Sequence, residues 1–171
     1  FNSLNALKNL VMQSREEDAI SYLDNFSLLL RNILQNSSKN SITVEEELEI
    51  LELYLSLEKR RLGNNFSYVI QCDSREILSQ YNIPPLLLQP FVENAIWHGL
   101  YPSNKPEKNL SLVFDTSKQL QISIEDNGIG RKESSKTKKT HQSAGTNITK
   151  ERLTLYNNVS HTQMQLSILD L

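Results

Sequence analysis

The hydrophobic period of the chain changes abruptly at Gly63, and this change constrains the fold more than any other feature. Before it, Thr43 and Glu46 match the pattern of a helix capping box, and a basic triplet closes the same segment. Acidic side chains at the start of a helix and basic ones at its end complement the helix macrodipole, so residues 44–62 are predicted to be helical. After it, apolar residues alternate with polar or smaller ones over residues 66–72, which predicts a strand.

Two further segments, residues 110–114 and 120–124, show the same alternation and are joined through the sequence DTSK. They predict an antiparallel pair of strands with one buried face. Residues 164–168 predict another strand near the end of the chain. Helices and strands are interspersed without the regular alternation of a doubly wound sheet, so we predict an α+β fold in which helices cover a sheet as a two-layer α/β sandwich.

Helical patterns dominate the start of the chain. Apolar residues recur at helical spacing from residue 4 to residue 11, and Ser14 with Glu17 predicts a capping box at the start of a second helix. The apolar residues of that second helix step by four and three, which is typical of a helix that packs against other helices or folds onto its own domain. These residues are Ala19, Leu23, Phe26, Leu30 and Ile33.

The chain divides at a polar stretch, residues 35–41. We predict a helical segment, 1–40, and a second domain, 41–171, which is long enough to bury a substantial core. Hydrophobic residues make up 38% of the sequence and the formal charge is −2, which excludes a global bias toward nucleic acid. Because the first residue is Phe1, we expect an excised fragment of a longer protein.

Two sequence features bear on the compartment. The longest apolar run is broken by prolines and falls short of the roughly 20 residues that a membrane span needs, and the start of the chain lacks the pattern of a signal peptide. The single Cys72 excludes an internal disulfide and any cysteine metal cluster, which fits a reducing compartment. We therefore predict a soluble chain.

Residues 85–100 predict a helix whose two faces differ in kind. Prolines begin it, as a first turn accepts, and Pro90 lies inside it, where a kink or restart is expected. When successive residues are placed about 100° apart around the helix axis, one side of the helix is apolar and is predicted to face the core. This core arc consists of Leu88, Phe91, Val92, Ala95, Ile96, Gly99 and Leu100. The opposite arc carries Gln89, Glu93, Asn94, Trp97 and His98. This second arc is a candidate lining for a polar ligand site, with a solvated or capping face as the alternative.

The sequence favours magnesium over zinc as a metal partner. Zinc requires three or four His, Cys or carboxylate ligands at a recognisable spacing, and His98, His141 and His161 are scattered. Magnesium takes hard oxygen ligands, keeps several waters and needs one or two protein groups besides phosphates. The side-chain oxygen of Asn94 is a candidate for one such ligand.

The stretch EDNGIG, residues 125–130, has two interpretations. Asn-Gly between apolar runs predicts a tight hairpin turn, whereas glycines after a strand-end carboxylate are also typical of a nucleotide pocket. A hairpin needs a second alternating strand, but Ala144 is the only apolar side chain of residues 131–145, which carry five basic residues against one acid. That composition predicts a long mobile loop, which is either a basic lid or an insertion without function. The segment GTNITKERL then resumes a helical pattern with Gly145 at its entrance, a helix start of the kind that attracts anions.

Four ordered motifs resemble one family. They are FNSLNAL at the start of the chain, then IPPLLLQPFVENAIWHG, DNGIG and SAGTNITKERL. In this order and spacing they resemble the catalytic domain of the LytS-like sensor histidine kinases, within the ATPase superfamily of gyrase, chaperone, histidine kinase and MutL. The resemblance covers nearly the whole chain. It implies a Bergerat-type ATP-binding sandwich with a mixed, mostly antiparallel sheet and helices on one face, preceded by part of a helical dimerisation and phosphotransfer segment.

The resemblance also implies roles for individual residues. The positions that match the family's ATP-binding residues are Asn94, His98, Asp126, Gly128, Gly130, Gly145 and Thr146. Asp126 would accept a hydrogen bond from the adenine amino group, and Asn94 would ligate Mg²⁺ beside the phosphates. The glycines of DNGIG would admit the base, and the pair at 145–146 would open the helix that faces the phosphates. Glu93 is the candidate general base.

Some positions depart from the family pattern. Trp97 replaces a lysine, Ser143 a glycine and Ile148 an asparagine, so individual phosphate contacts differ from those of the family. The family's phosphate-accepting histidine lies three positions before the residue that matches Phe1, so we expect this chain not to autophosphorylate. The family's closing strand follows the last residue of this sequence, so we expect an incomplete sheet.

The resemblance implies a function in two-component signalling. In the intact protein the γ-phosphate of ATP would go to the upstream histidine and then to an aspartate of a response regulator. That protein would be a homodimer anchored in the membrane through other regions, with this part in the cytoplasm and without a nucleic acid partner. The alternatives are a nucleotide-dependent conformational clamp and a non-catalytic dimer module whose pocket has decayed.

Overall fold

A computed structural model describes residues 7–8, 10–13, 15–130, 142–161 and 163–169, and for residues 142–147 it describes the backbone only. Its helices are α1 (Glu16–Ser37), α2 (Val44–Leu62), α3 (Arg75–Leu78), α4 (Gln89–Asn94) and α5 (Gln142–Ser160), with a 3₁₀ turn at Gly63–Asn65 and a π-helix, Ala95–Leu100, directly after α4. Its strands are β1 (Ile42–Thr43), β2 (Phe66–Cys72), β3 (Asn82–Ile83), β4 (Lys108–Asp115) and β5 (Gln121–Asp126). This mixture of helices and strands confirms the predicted α+β class.

The main sheet has its three strands in the order β2–β4–β5. β2 pairs with β4 in parallel and β4 pairs with β5 antiparallel, in a register that places Leu112 opposite Ile70 on one side and Ile124 on the other. The β4–β5 pair confirms the antiparallel strands predicted from the alternating segments. β1 and β3 form a separate antiparallel ladder, in which Ile42 lies opposite Ile83.

Among the described residues, the helices cover one face of the sheet. Phe66, Leu110, Leu112 and Phe114 project from this face, and each is at most 1% exposed. Buried residues of the helical layer belong to the same core, among them Leu48, Leu51, Val92, Ile96 and Leu100. The other face carries mainly polar side chains, and its Val69 is 52% exposed. The helices and the sheet therefore form two layers.

The bounds of α2 are those predicted from the sequence. The Thr43 hydroxyl accepts a hydrogen bond from the Glu46 N–H at 3.1 Å, and the Glu46 carboxylate accepts one from the Thr43 N–H at 2.8 Å. This confirms the capping box. Lys39 donates to the same carboxylate at 2.9 Å, and this contact, together with the cap, lowers the pKa of Glu46 below its usual value.

The start of α1 is described only in part. The helix begins at Glu16 with Arg15 at its N-cap, and the Arg15 side chain makes no cap. The predicted capping box depends on Ser14, which lies outside the described residues, so it stays a prediction. The motif FNSLNAL at residues 1–7 likewise lies almost entirely outside them. Within the described part, residues 7–8 and 10–12 are helical, as their spacing predicted.

The face of α1 that packs on α2 also differs from the predicted seam. Its buried residues are Ala19, Tyr22, Leu29 and Asn36. Leu23 and Leu30 of the predicted seam are 47% and 44% exposed. The reason is that two apolar stripes with helical spacing lie side by side on α1, and the prediction merged them. The second, which we call the outer stripe, consists of Ile20, Leu23, Leu30 and Leu34.

The hydrophobic core is continuous across the predicted boundary at residues 40 and 41. Tyr22 and Leu29 of α1 lie in the same core cluster as Phe66 of the sheet. The side chain of Arg60 on α2 also donates a hydrogen bond to the Ser21 hydroxyl at 3.0 Å. The division into 1–40 and 41–171 stays a prediction from the sequence.

The strand predicted at residues 164–168 is wrong, because residues 163–169 have no regular secondary structure. The Asn157 side chain on α5 satisfies the backbone groups that a neighbouring strand would otherwise bond. Its Oδ1 accepts from the Met164 N–H at 3.0 Å, and its Nδ2 donates to the Met164 carbonyl at 2.8 Å. Among the described helices, none is long and apolar enough to cross a bilayer.

Candidate functional site

The helix that carries the predicted polar arc changes type halfway along. α4 runs without a break into the π-helix, where the Tyr101 N–H donates to the Ile96 carbonyl at 2.7 Å, five residues back. π-Helical turns are rare and occur mostly at functional sites. Most of the predicted core arc is buried, which confirms that side of the prediction. The predicted polar arc divides into two stripes of side chains with different surroundings.

The first stripe, which consists of Gln89, Glu93 and Trp97, faces α2. Gln89 donates from Nε2 to the Glu93 carboxylate at 2.9 Å, and the Trp97 indole N–H donates to the Tyr54 hydroxyl at 3.2 Å. Burial raises the pKa of Tyr54 above its usual value, and the carboxylates of Glu58 and Glu93 raise it further. Glu93 therefore lies close enough to the aromatic and acidic side chains of α2 to influence them electrostatically.

Trp97 has a clear structural role in this stripe. The Arg61 guanidinium lies over its ring at 3.9 Å from the centroid, and Arg61 also forms an ion pair with the largely buried Glu58. The ring of Tyr101 lies 5.5 Å from that of Trp97. A lysine at position 97 would be repelled by Arg61. These contacts explain why this chain has a tryptophan where the family pattern has lysine.

The second stripe contains Asn94 and His98. The two residues are one turn apart, Asn94 as the last residue of α4 and His98 within the π-helix, and both are partly buried. Gly99 follows on the same helix and meets the loop after β5. Asn94 and His98 thus precede, on the same continuous helix, the glycine that this loop contacts.

The Asn-Gly pair of the loop does not form a two-residue hairpin turn. β5 ends at Asp126, and Asn127 instead bonds back to β4: its N–H donates to the Asn109 carbonyl at 3.2 Å, and its Oδ1 accepts from the Asn109 N–H at 2.8 Å. The Asp126 carboxylate accepts from the Gly128 N–H at 2.8 Å. These bonds hold the exposed carboxylate of Asp126 at the end of the strand.

The loop then docks onto the π-helix through a pair of glycines. A Cβ on Gly128 would overlap the backbone carbonyl of Gly99, and a Cβ on Gly99 would overlap the Asp126 carboxylate. The Ile129 N–H donates to the Gly99 carbonyl at 3.1 Å. Gly130 has φ +75°, a backbone conformation that favours glycine. We call this contact the glycine junction, and it is defined by Gly99, Asp126, Gly128 and Ile129.

The helix predicted to face phosphates begins earlier than expected. α5 starts at Gln142, so Gly145 and Thr146 are its fourth and fifth residues rather than its entrance. The reason is that Gln142, Ser143 and Ala144 are compatible with a helical first turn. The basic stretch 131–141, which includes His141, lies outside the described residues, so the lid stays a prediction.

An open cleft of about 730 Å³ lies beside the glycine junction. It is lined by Gly128, Ile129 and the segment 102–106, and Lys105 of that segment donates to the Asn127 carbonyl at 2.7 Å. A smaller depression of about 370 Å³ beside the open face of the sheet includes Asp126. Asn94 and His98 line neither of these two cavities.

Sequence reasoning missed Gly99 and Lys105 as parts of the site. Gly99 carried a usable signal, since a glycine in a helix interior costs about 1 kcal/mol relative to alanine and so usually has a packing reason. Lys105 carried none, because its loop has no recognisable pattern. For metals, no group of three or more His, Cys, Asp or Glu side chains within the described residues could hold an ion.

Comparison with known proteins places the chain in a family. A histidine kinase family model matches residues 1–66. The sensor histidine kinase/phosphatase LytS of Staphylococcus aureus strains Mu50, N315 and MW2 is 35% identical to this chain over 135 residues, which are 76% of the chain and 22% of each relative. The chain therefore belongs to the histidine kinases. Among these it is a LytS-like sensor histidine kinase, as its motifs indicated, and the match spans about a fifth of each relative's length.

Proposed function

We propose that this chain is the ATP-binding core of a two-component sensor histidine kinase. It transfers the γ-phosphate of ATP to a histidine in the segment before Phe1, from which it passes to an aspartate of a response regulator. The observation that carries the proposal is the glycine junction, which fixes the Asp126 carboxylate against the helix that bears Asn94 and His98. We also propose that this part of the intact, membrane-anchored protein lies in the cytoplasm.

The residues of the junction fit the adenine end of ATP. Asp126 is exposed, and its carboxylate can accept from an adenine amino group while it holds the Gly128 N–H. A hydrogen bond to a charged acceptor contributes roughly 1.5–3 kcal/mol. The carbonyl that guanine has at the same place would be repelled by the carboxylate, so ATP is preferred over GTP.

Asn94 fits a role as an Mg²⁺ ligand. Its amide oxygen is a hard donor, and an ion that is bound mainly by phosphates and water needs few protein groups. When bound, Mg²⁺ would neutralise phosphate charge. Phosphoryl transfer depends mostly on positioning and charge neutralisation. The basic side chains of residues 131–141 and the start of α5, with Gly145 and Thr146, would approach the phosphates, and Glu93 is the candidate general base.

The outer stripe of α1 supports a dimer in the intact protein. Ile20 and Leu34 are 62% and 70% exposed, and Leu23 and Leu30 are nearly half exposed. The four residues follow the spacing of a helix-packing seam and expose apolar side chains on one side of α1 among the described residues. We propose that helices of a second copy cover this surface.

Titration calorimetry with Mg²⁺ and a non-hydrolysable ATP analogue tests the site. Asp126→Asn keeps an oxygen for the Gly128 N–H but presents an amide donor to the adenine amino group, so we expect affinity to fall about tenfold to a hundredfold. Glu125→Gln removes a charge from the neighbouring residue of β5, which points to the opposite face, and should change affinity less than twofold. Absence of binding, or equal binding by the Asp126 variant, contradicts the ATP site.

A second experiment separates the kinase from the conformational clamp and the non-catalytic module. A longer chain that includes the upstream segment with its histidine should become labelled by radioactive γ-phosphate of ATP. Replacing that histidine by glutamine should abolish the label while leaving nucleotide affinity unchanged. ATP binding and hydrolysis without labelling would favour the clamp, and neither activity would favour the non-catalytic module.

A further inference from the structure

Glu47 is a fully buried acid in the first turn of α2, and it bonds to a distant loop. Its exposure is 0%. Its Oε2 accepts from the Leu86 N–H at 2.7 Å and its Oε1 accepts from the Leu88 N–H at 2.8 Å, so both oxygens are used by the segment that leads into α4. A carboxylate that accepts from two backbone donors at once fixes the path of the backbone between them.

The backbone of residues 84–88 has an unusual conformation that depends on contacts with other parts of the fold. Leu86 has φ +54°, a conformation that residues with a side chain rarely adopt and that persists only where the surroundings enforce it. Leu88, the N-cap residue of α4, makes no side-chain cap. Glu47 therefore supplies, from α2, acceptors for two backbone N–H groups at the entrance to α4.

Arg152 holds the same segment from the other side. Located on α5, it donates from Nη2 to the Pro85 carbonyl at 2.6 Å. Its charge also acts on Glu47, where it opposes the effect of burial on the pKa of that carboxyl. Residues 84–88 are thus hydrogen-bonded to α2 through Glu47 and to α5 through Arg152.

We propose that Glu47 and Arg152 are positioning residues that set the start of α4, the helix that ends at Asn94, relative to α5. The proposal rests on the proposed function, because α4 bears Asn94 and α5 bears Gly145 and Thr146, the groups assigned to Mg²⁺ and phosphate. The adenine end is held separately, by the glycine junction at the far end of the π-helix. Loss of either positioning residue should therefore weaken phosphate and Mg²⁺ binding while leaving adenosine binding intact.

Calorimetry with two ligands on the folded protein tests this division. For Glu47→Gln, whose amide would face a backbone N–H with a donor, we expect the Mg²⁺–ATP analogue to bind about tenfold more weakly. Adenosine affinity should change less than twofold. Glu49→Gln, an exposed acid on the same helix, is the matched control and should change neither.

Arg152 provides the second arm and guards against misfolding of the Glu47 variant. Arg152→Ala should reproduce the selective loss of Mg²⁺–ATP analogue affinity, and Arg152→Lys, which retains a donor, should restore much of it. The double variant should lose little more than Glu47→Gln alone, because both residues act through one segment. Full Mg²⁺–ATP affinity in folded single variants, or equal losses for both ligands, overturns the positioning role while the ATP site stands. A wild-type chain that binds neither ligand overturns both.

Discussion

The two ends of the helix formed by α4 and the π-helix are held in opposite ways. At its start, Glu47 and Arg152 bring charged side chains to the backbone of residues 84–88. At its end, Gly99 and Gly128 bring backbones together because neither has a side chain. The first arrangement depends on ionisable side chains, and the second on the close fit of two glycine backbones with a backbone hydrogen bond beside it. Asn94 and His98 therefore lie between two kinds of contact. Changes in side-chain charge should disturb the contacts of Glu47 and Arg152, and changes in side-chain size should disturb the glycine junction.

The steric end should be the more sensitive. Gly128→Ala would bring a Cβ into the Gly99 backbone, which cannot rotate away, so the loop must move. We expect a loss of about 1–3 kcal/mol in the free energy of unfolding, measured in urea, together with at least a hundredfold loss of ATP-analogue affinity. Gly63→Ala is the matched control: it has positive φ but nothing within 4 Å of its Cβ, so it should cost stability without changing affinity. Unchanged affinity in Gly128→Ala would show that the junction does not shape the site.

The electrostatic end should respond to pH, and two adjacent glutamates allow a direct comparison. The pKa of Glu46 is lowered by Lys39 and the cap, so its contribution to stability is present above about pH 4.5 and is lost as the pH falls through the lowered value. The pKa of Glu47 is raised by burial, so its folded form retains a proton that the unfolded chain has released; stability decreases as the pH rises from about 4.5 toward the raised value.

Urea unfolding measured from about pH 2.5 to about pH 8 covers both transitions and tests this smaller effect. The stability difference between wild type and Glu46→Gln should shrink on acidification, whereas that between wild type and Glu47→Gln should shift in favour of wild type. Parallel pH profiles for the two variants would mean that the burial of Glu47 does not control its ionisation.

Local features were predictable from the sequence, and long-range ones were not. The capping box of α2 and the β4–β5 pair follow from residues close together in the chain. Glu47 could not be distinguished from its acidic neighbours, because its burial depends on contacts with residues about 40 positions later. The π-helix was also missed, since spacing residues by about 100° assumes a regular α-helix. For α1, periodicity revealed apolar residues but not which of two adjacent stripes would meet α2.

The candidate site was predictable to the extent that motifs are local. Asp126 and Asn94 were predicted as site residues from their motifs; Asp126 takes part in the contact between the loop and the helix, and Asn94 lies earlier on that helix. The partner of Gly128 was not identified, because Gly99 was assigned to the core arc, and that contact depends on how the sheet and helix pack.

The shared core of α1 and the sheet has a mechanical consequence. A helix that is joined to its domain by a flexible linker can move without displacing that domain. In this chain, by contrast, Tyr22 and Leu29 of α1 are packed into the same core as Phe66 of the sheet. Close-packed interiors are hardly compressible and transmit strain. We therefore expect a twist or push applied to α1 to displace α2 as well and, through Glu47, the start of α4.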